Sequence, residues 1–492
     1  MRRLGLVISL VCLACGSNEV PVPAEGTTST GDDGSTSASE DTSTGGEGSS
    51  TGEMEEPAWM LPEVWGVPTL EDLDPDPDVV EVELVADELE VPNGNGTLSM
   101  VAYNGSVPGP LLQTKLGDEV VVHFTNKLSE PTTVHWHGLR ISDAMDGNPR
   151  IQDPVQPGET FTYRFVAAEA ASYWYHPHVR ANEQVEMGLQ APMTVHDPED
   201  PIFDLERALV LDDIWIENGA FPSFLSGHME QMHGRLGNYL LVNGQGTAAE
   251  VAVEQRAVER WRIVNTSNAR TMELSVEGAA FQVVATDGGR VPHPYTPARI
   301  QVAVGQRYDL LVYYDEPGTA RLLNHVLTLN DADEVVEKAV EMIVAEVAAS
   351  ERPVPDVEWV PLDAPPEPTI DREETLTFDA VNGADGLEWM LNGESMPAEP
   401  LFEFARGETV RLRLVNEAGP EHPFHLHGQF FTIVDDGRPE TSQPGRKDTV
   451  LVPGQTTVEI IATMDNPGQW MAHCHILEHA ELGMMGEIIV SE

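Results

Sequence analysis

The stretch HCHILEHAELGMM, residues 473–485, sets three histidines, one cysteine and two methionines within thirteen positions. Thiolate and thioether are soft ligands that suit copper, zinc or iron and exclude magnesium and calcium. Three more groups of the same kind stand upstream: His135 and His137 in HWHG, His176 and His178 in HPH, and His422, His425 and His427 in HPFHLHG. These residue types at these spacings point to transition-metal chemistry.

Residues two apart on a strand share a face, so each His-x-His pair aims two imidazoles the same way. Opposed pairs from two domains make a cage of eight imidazoles: His135, His137, His176, His178, His425, His427, His473 and His475. Eight are too many for one ion and divide among three, with two or three each. Imidazole alone leaves copper, zinc, iron and nickel open. His422, Cys474 and His479 remain, and with a nearby methionine they form the His2Cys plus weak axial Met set of a blue-copper electron-transfer site. A buried thiol acting as a small hydrophobe is a poor account of a cysteine flanked by two histidines.

The elements that must place these groups repeat along the chain. Asn104-Gly105 is followed 22 residues later by Asn126, Asn243-Gly244 22 later by Asn265, and Asn392-Gly393 24 later by Asn416. GDEVVVHFTN, VERWRIVN and GETVRLRLVN lie within these units and largely alternate apolar with polar residues, the pattern of antiparallel strands. Nine and eleven residues beyond Asn126 and Asn416 stand the two His-x-His pairs. The same offsets from Asn265 reach Leu274 and Val276, so the middle unit has apolar core there. Helix signals are few, and three consecutive β-sandwich domains follow: 58–200, 201–350 and 351–492.

Composition narrows the partners. The formal net charge is -55 and there are only four lysines, so nucleic acid is repelled. Residues 1–15 have Arg2 and Arg3 ahead of an apolar run too short to span a bilayer, the form of an export signal. The run ends at Cys12-Leu13-Ala14-Cys15, which resembles a lipoprotein cleavage box with lipidation at Cys15. Residues 16–57 are Gly, Ser, Thr and acid, a composition that cannot offset ordering entropy and reads as a disordered tether. The expected place is periplasmic or cell-surface, with the membrane touched only through a lipid anchor. The expected state is a monomer.

HWHG, HPH, HPFHLHG and HCHILEHAELGMM, in this order, resemble the four copper motifs of the multicopper oxidases, over about residues 60–492. The resemblance implies three cupredoxin-like (Greek-key β-sandwich) domains in an all-β chain, with no copper in the second. It also implies four copper ions: type 1 on His422, Cys474 and His479 with Met484 axial, type 2 on His135 and His425, one type 3 on His137, His176 and His475, and the other on His178, His427 and His473. Electrons from a small donor, phenol-like as in laccases or a metal ion such as Cu(I), Mn(II) or Fe(II), would enter at an exposed edge of a type 1 histidine. They would pass along Cys474, through His473 and His475, and reduce O2 to water. Asp146, nine residues after His137, matches a family acid that supplies protons; a turn acid capping the Gly-Asn loop is the plainer alternative. Where bacterial relatives often carry a proton-feeding glutamate, this chain has Ala480, with Glu481 one residue further. His228, Met229, Met232 and His233 in GHMEQMHG are either a cuprous-ion contact or a surface loop packing its methionines. His123, His196, His293 and His325 stand singly as ordinary polar or packed residues.

Overall fold

The computed structural model describes residue 61 and residues 64–492, apart from 94–95, 330–333, parts of 356–367, 384–385 and 438–442. The signal and tether expected at 1–57 lie outside the described residues.

The three Asn-Gly pairs are tight turns of one kind. Asn104, Asn243 and Asn392 have φ of 49°, 52° and 50°, and the glycines that follow have 71°, 72° and 81°. Two successive left-handed residues make a type I′ hairpin turn, which Asn-Gly adopts at low cost. In each turn the Asn side-chain oxygen accepts a backbone N–H from a neighbouring strand, of Val85, Val210 and Thr377 at 2.7, 2.8 and 2.9 Å.

The second asparagine of each unit is also used identically. Asn126, Asn265 and Asn416 are buried, and each accepts the N–H two residues on, of Leu128, Ser267 and Ala418. Each amide also donates to the carbonyl four or five residues on, of Glu130, Arg270 and Pro420, and to a second one, of Val155, Val302 and Val452. These clamps fix the bend from which the next strand starts. In the first and third units that strand carries histidine.

Each unit folds as two sheets. In the first, Gly96–Tyr103, Val79–Asn93, Glu119–Asn126 and Thr160–Val166 form one, and Leu112–Lys115, Ala191–His196, Ala171–His176 and His135–His137 the other. The third unit has two five-stranded sheets, one with Gly468–Cys474, His422–Leu426 and Thr449–Val452 side by side. The middle unit has a five-stranded sheet and a seven-stranded one, to which Val64–Trp65 of the first unit adds an eighth strand. Antiparallel pairing holds on only one side of the repeated strands. Glu119–Asn126, Val258–Asn265 and Glu408–Asn416 each pair antiparallel with a later strand but parallel with an earlier one.

Strand parity divides the chemistry. Val134, Trp136, Tyr173 and Tyr175 fill the first core, so His135, His137, Trp174 and His176 face outward. Phe424, Leu426, Ala472 and Cys474 fill the third core, with His425, His427, His473 and His475 on the opposite face. Burying each large apolar side chain contributes about 1.5–3 kcal/mol, so a slip that exchanged the faces would cost many such terms. In the middle unit Leu274 is core and Val276 packs against it. Short helices are α1 (Ala181–Gln184), α2 (His228–His233) and α3 (Leu477–Glu481).

Candidate metal centre

The outward faces of the first and third domains meet, and their eight histidines meet with them. His135 stacks on His427 with ring centroids 3.9 Å apart, and His137 on His425 at 3.7 Å. His176 lies 5.4 Å from His475, and His178 lies 5.3 Å from His473. His178, His427 and His473 bring one ligand atom each within 4.8 Å of one another, as do His135, His137 and His176.

Outward hydrogen bonds decide which nitrogen faces inward. His135 Nδ1 donates to the Asp146 carbonyl at 2.9 Å, His176 Nδ1 to the Pro177 carbonyl at 3.0 Å and His425 Nδ1 to the Asp448 carbonyl at 2.9 Å. His427 Nδ1 donates to Asp146 Oδ2 at 2.7 Å, His473 Nδ1 to the Cys474 carbonyl at 2.9 Å and His137 Nε2 to Asp448 Oδ1 at 3.2 Å. These oxygens only accept, so each neutral ring keeps its proton outside and turns a bare lone pair inward. The Nε2 atoms of His135, His176, His178 and His425 are buried with no partner. His427 Nε2 and His473 Nε2 face each other at 3.1 Å, lone pair to lone pair. A cation satisfies such a cage, and protons do not.

The protonation balance agrees. Burial, with the neighbouring rings adding to it, pushes His137, His176, His178, His425, His427 and His475 well below the usual histidine range, and His473 is pushed down to about 4. Neutral imidazole is the ligating form.

The second set lies inside the third domain. His422 Nδ1 and His479 Nδ1 are 3.1 Å apart, and Cys474 Sγ is 3.5 and 3.7 Å from them. Ligands about 2.0–2.3 Å from one ion lie within about 4 Å of one another, as all three sides of the triangle do, so the triangle fits one ion. Burial pushes the Cys474 thiol up, while the Ile476 N–H, 3.4 Å from sulfur, favours the thiolate. Met484 is fully buried; its carbonyl accepts the Cys474 N–H and its N–H donates to the His479 carbonyl. The His2Cys set with a methionine beside it suits copper.

The matched sequence models decide the family. Residues 86–200, 208–331 and 361–492 each match a model described as multicopper oxidase. The chain belongs to the multicopper oxidase family. As a member it is a copper oxidoreductase that uses O2 as acceptor. It is 30% identical to the multicopper oxidase mco of Staphylococcus aureus, over 80% of this chain and 84% of that one. Laccase-1 of Botryotinia fuckeliana is 28% identical, over 79% and 78%. Among solved structures, a multicopper oxidase of Campylobacter jejuni described as a metallo-oxidase superposes with a TM-score of 0.77 at 25% identity, covering 88% of this chain and 96% of that one.

One expectation for this oxidase is corrected. The expected exposed histidine edge at the His2Cys set is not there: His422 and His479 are both fully buried. GHMEQMHG is a short helix rather than a surface loop, and α2 lies across the set with Met232 packed against the third core. The Met232 carbonyl accepts His479 Nε2 at 3.2 Å, and the Gln231 carbonyl accepts Trp389 Nε1 at 2.9 Å, the indole resting on His479 at 4.1 Å. A helix end leaves carbonyls without intrahelical partners, and here a ligand ring and a tryptophan take them. Met229 on α2 is 55% exposed.

Asp146 is fully buried and its carboxylate meets His135 and His427, at 3.2 and 2.7 Å, so it is more than a turn acid. Burial holds it above the usual carboxylate range against the pull of His135 and His473. Three residues escaped sequence reasoning. Asp448 carried no motif signal, and Arg307 sits in the domain without ligands. Glu478, between Cys474 and His479, is buried, takes the Arg235 N–H and the Asn268 amide, and is pushed by burial up to about 7. Ala480 is buried too, whereas Glu481 is exposed, its charged neighbours being Glu183 and Arg180.

Proposed function

We propose that this oxidase holds four coppers, with type 1 on His422, Cys474, His479 and Met484, type 2 on His135 and His425, and the type 3 pair on His137, His176, His475 and on His178, His427, His473. The observation that carries the reading is the inward row of bare imidazole lone pairs beside the separate His2Cys triangle, joined through Cys474 and its neighbours. Bound there, copper would supply one-electron redox chemistry between a donor and O2, whose reduction to two waters takes four electrons and four protons.

The chain's own residues do the rest. Cys474 points into the third core while His473 and His475 point into the cage, so three consecutive residues connect the two sites. Asp146 holds His135 and His427 and offers a proton beside the cage. Glu478, near neutrality on the other side of Cys474, is a second proton carrier in place of the glutamate absent at Ala480. With Asp146→Asn, turnover falls about 10–100-fold while the blue colour stays, the size expected for a lost outer-shell partner. Wild-type turnover in that variant would return Asp146 to the role of turn acid.

The donor is a small reductant that gives its electron across α2 rather than by touching a type 1 ring. The buried His479 edge favours a reduced metal ion over a bulky phenol, and His228, Met229, Met232 and His233 on α2 supply imidazole and thioether to receive a cuprous ion. The test compares O2 uptake by one copper-loaded preparation with a phenol, Cu(I), Mn(II) and Fe(II). A rate fastest with the phenol would end the metal-ion preference and leave a laccase-type oxidase.

Met484→Leu raises the type 1 reduction potential and keeps activity, because the thioether is a weak donor that stabilises the oxidised ion. Redox titration of the blue band checks this, and an unchanged potential would move the thioether ligand role to Met485. The leader motifs support an exported, lipid-anchored protein, and mass analysis for an acyl group on Cys15 tests that assignment.

A further inference from the structure

Asp146 and Asp448 are used in the same way from opposite sides. The backbone carbonyl of each accepts a ring N–H from its own domain, His135 or His425, and the carboxylate of each accepts one from the other domain, His427 or His137. The two differ in what stands behind them. Asp448 is gripped by Arg307 of the middle domain through two parallel bonds, Nη1 to Oδ1 at 2.7 Å and Nη2 to Oδ2 at 2.6 Å.

Arg307 is itself fixed on every side. Its guanidinium donates to the carbonyls of Ser172 at 2.9 Å, Gly305 at 3.1 Å and Asp287 at 3.0 Å, and it is fully buried. Its two neighbours also meet the cage. Gln306 donates to the Thr449 carbonyl at 2.9 Å, and Thr449 Oγ1 lies 3.2 Å from His425 Nδ1 and 3.3 Å from His137 Nε2. A methyl added at Gly305 would lie 3.0 Å from His137 Cε1 and 3.1 Å from His475 Cδ2, and the φ there is +84°. A side chain at Gly138 would collide with the Arg307 guanidinium and the Asp448 carboxylate.

We propose that Gly305, Gln306 and Arg307 form a wedge by which the middle domain, which gives no ligand, sets the geometry of the copper cage, with Arg307 acting through Asp448 as the positioning residue for His137. A planar fork on a carboxylate fixes direction as well as distance. His137 thereby presents Nδ1 inward, whereas the outward bonds of His135, His176, His425, His427 and His473 are all made by Nδ1. The three domains meet in the single chain of contacts Arg307, Asp448, His137.

This inference rests on the cage holding copper, which copper content and the blue band of the wild-type protein test separately. The variant is Arg307→Met with Asp448→Ala, which removes both buried charges together and leaves neither unpaired. Its control is Arg207→Met with Glu259→Gln, a buried bidentate pair in the same middle domain, at 2.7 and 2.5 Å. The readouts are copper per chain during dialysis against a chelator, the blue band, and the electron-spin and near-ultraviolet signatures of the cage coppers. The wedge predicts about 10–100-fold weaker copper retention by the cage, altered cage spectra and an unchanged blue band in the first variant only. Intact cage spectra in the first variant, or equal losses in both, would overturn it. If the double variant does not accumulate, Arg307→Lys gives the same reading, because it keeps the charge and gives up the fork. Altered cage spectra with the blue band kept support the wedge, and unchanged spectra overturn it.

Discussion

Cys474→Ser is expected to be colourless and to turn over no external donor, while folding as the parent does. The intense blue of a type 1 site comes from its copper–thiolate bond, and a serine hydroxyl is a poor replacement ligand. The fold is indifferent for a separate reason. Cys474 lies in the third core with Phe424 and Met484, and the exchange removes no carbon, so its cost is that of burying one hydroxyl, about 1–3 kcal/mol. His473 and His475 keep their places because parity, rather than sulfur, turns them outward. The variant should therefore retain cage copper and its spectra, which separates a broken electron path from a collapsed site. The measurements are the visible spectrum, copper per chain and O2 uptake. A blue and active serine variant would remove the type 1 assignment entirely.

What the sequence allowed and what it hid follow from how far each interaction reaches along the chain. The histidine pairs and Cys474 were legible because strand parity is local, and two positions are enough to fix a face. The three-unit repeat was legible because Asn-Gly turns and the buried asparagine clamps are set by contacts the backbone itself dictates. Three features were not legible, and two of them involve a partner distant in sequence. Arg307 and Asp448 are separated by 141 positions and are joined only when domains two and three pack. The cover that α2 places over His479 spans 247 positions, so GHMEQMHG gave no sign that the carbonyls of Gln231 and Met232 would be taken by Trp389 and His479. The parallel partners of the repeated strands were missed for another reason: alternation reports that one face is buried and says nothing of the direction of the neighbour.

The copper-free protein should lose stability steeply in acid, and copper should move that loss to lower pH. Burial pushes His422 down to about 3 and His473 to about 4, and it pushes His137, His176, His178, His425, His427, His475 and His479 well below the usual value. In the unfolded chain each titrates near 6.5. Between these limits the unfolded state binds more protons than the native one, so native stability falls as pH falls, beginning near pH 6.5 and continuing to each folded value. His422 and His473 alone amount to ~8 kcal/mol over that span, at about 1.4 kcal/mol per unit for each. Glu478 runs the other way. Its carboxyl is raised to about 7, so it favours the native state as pH falls toward 4.5, by about 3 kcal/mol. The buried carboxyls of Asp146, Glu186, Asp212 and Asp287, which burial also raises, oppose the loss in the same way, but the nine lowered imidazoles outnumber the raised carboxyls, so the balance remains a loss in acid. Copper occupies the nitrogens that protons would take, so a loaded protein is held native until protons displace the metal. Thermal unfolding of loaded and chelator-treated protein from pH 7.5 to 4 decides the matter. The loaded curve should lie above the metal-free one throughout, with the gap widest at the top of that range and narrowing downward as protons compete for the copper ligands. Parallel curves across the whole range would mean that copper and protons do not compete for these rings, and the cage would have to bind its metal through other groups.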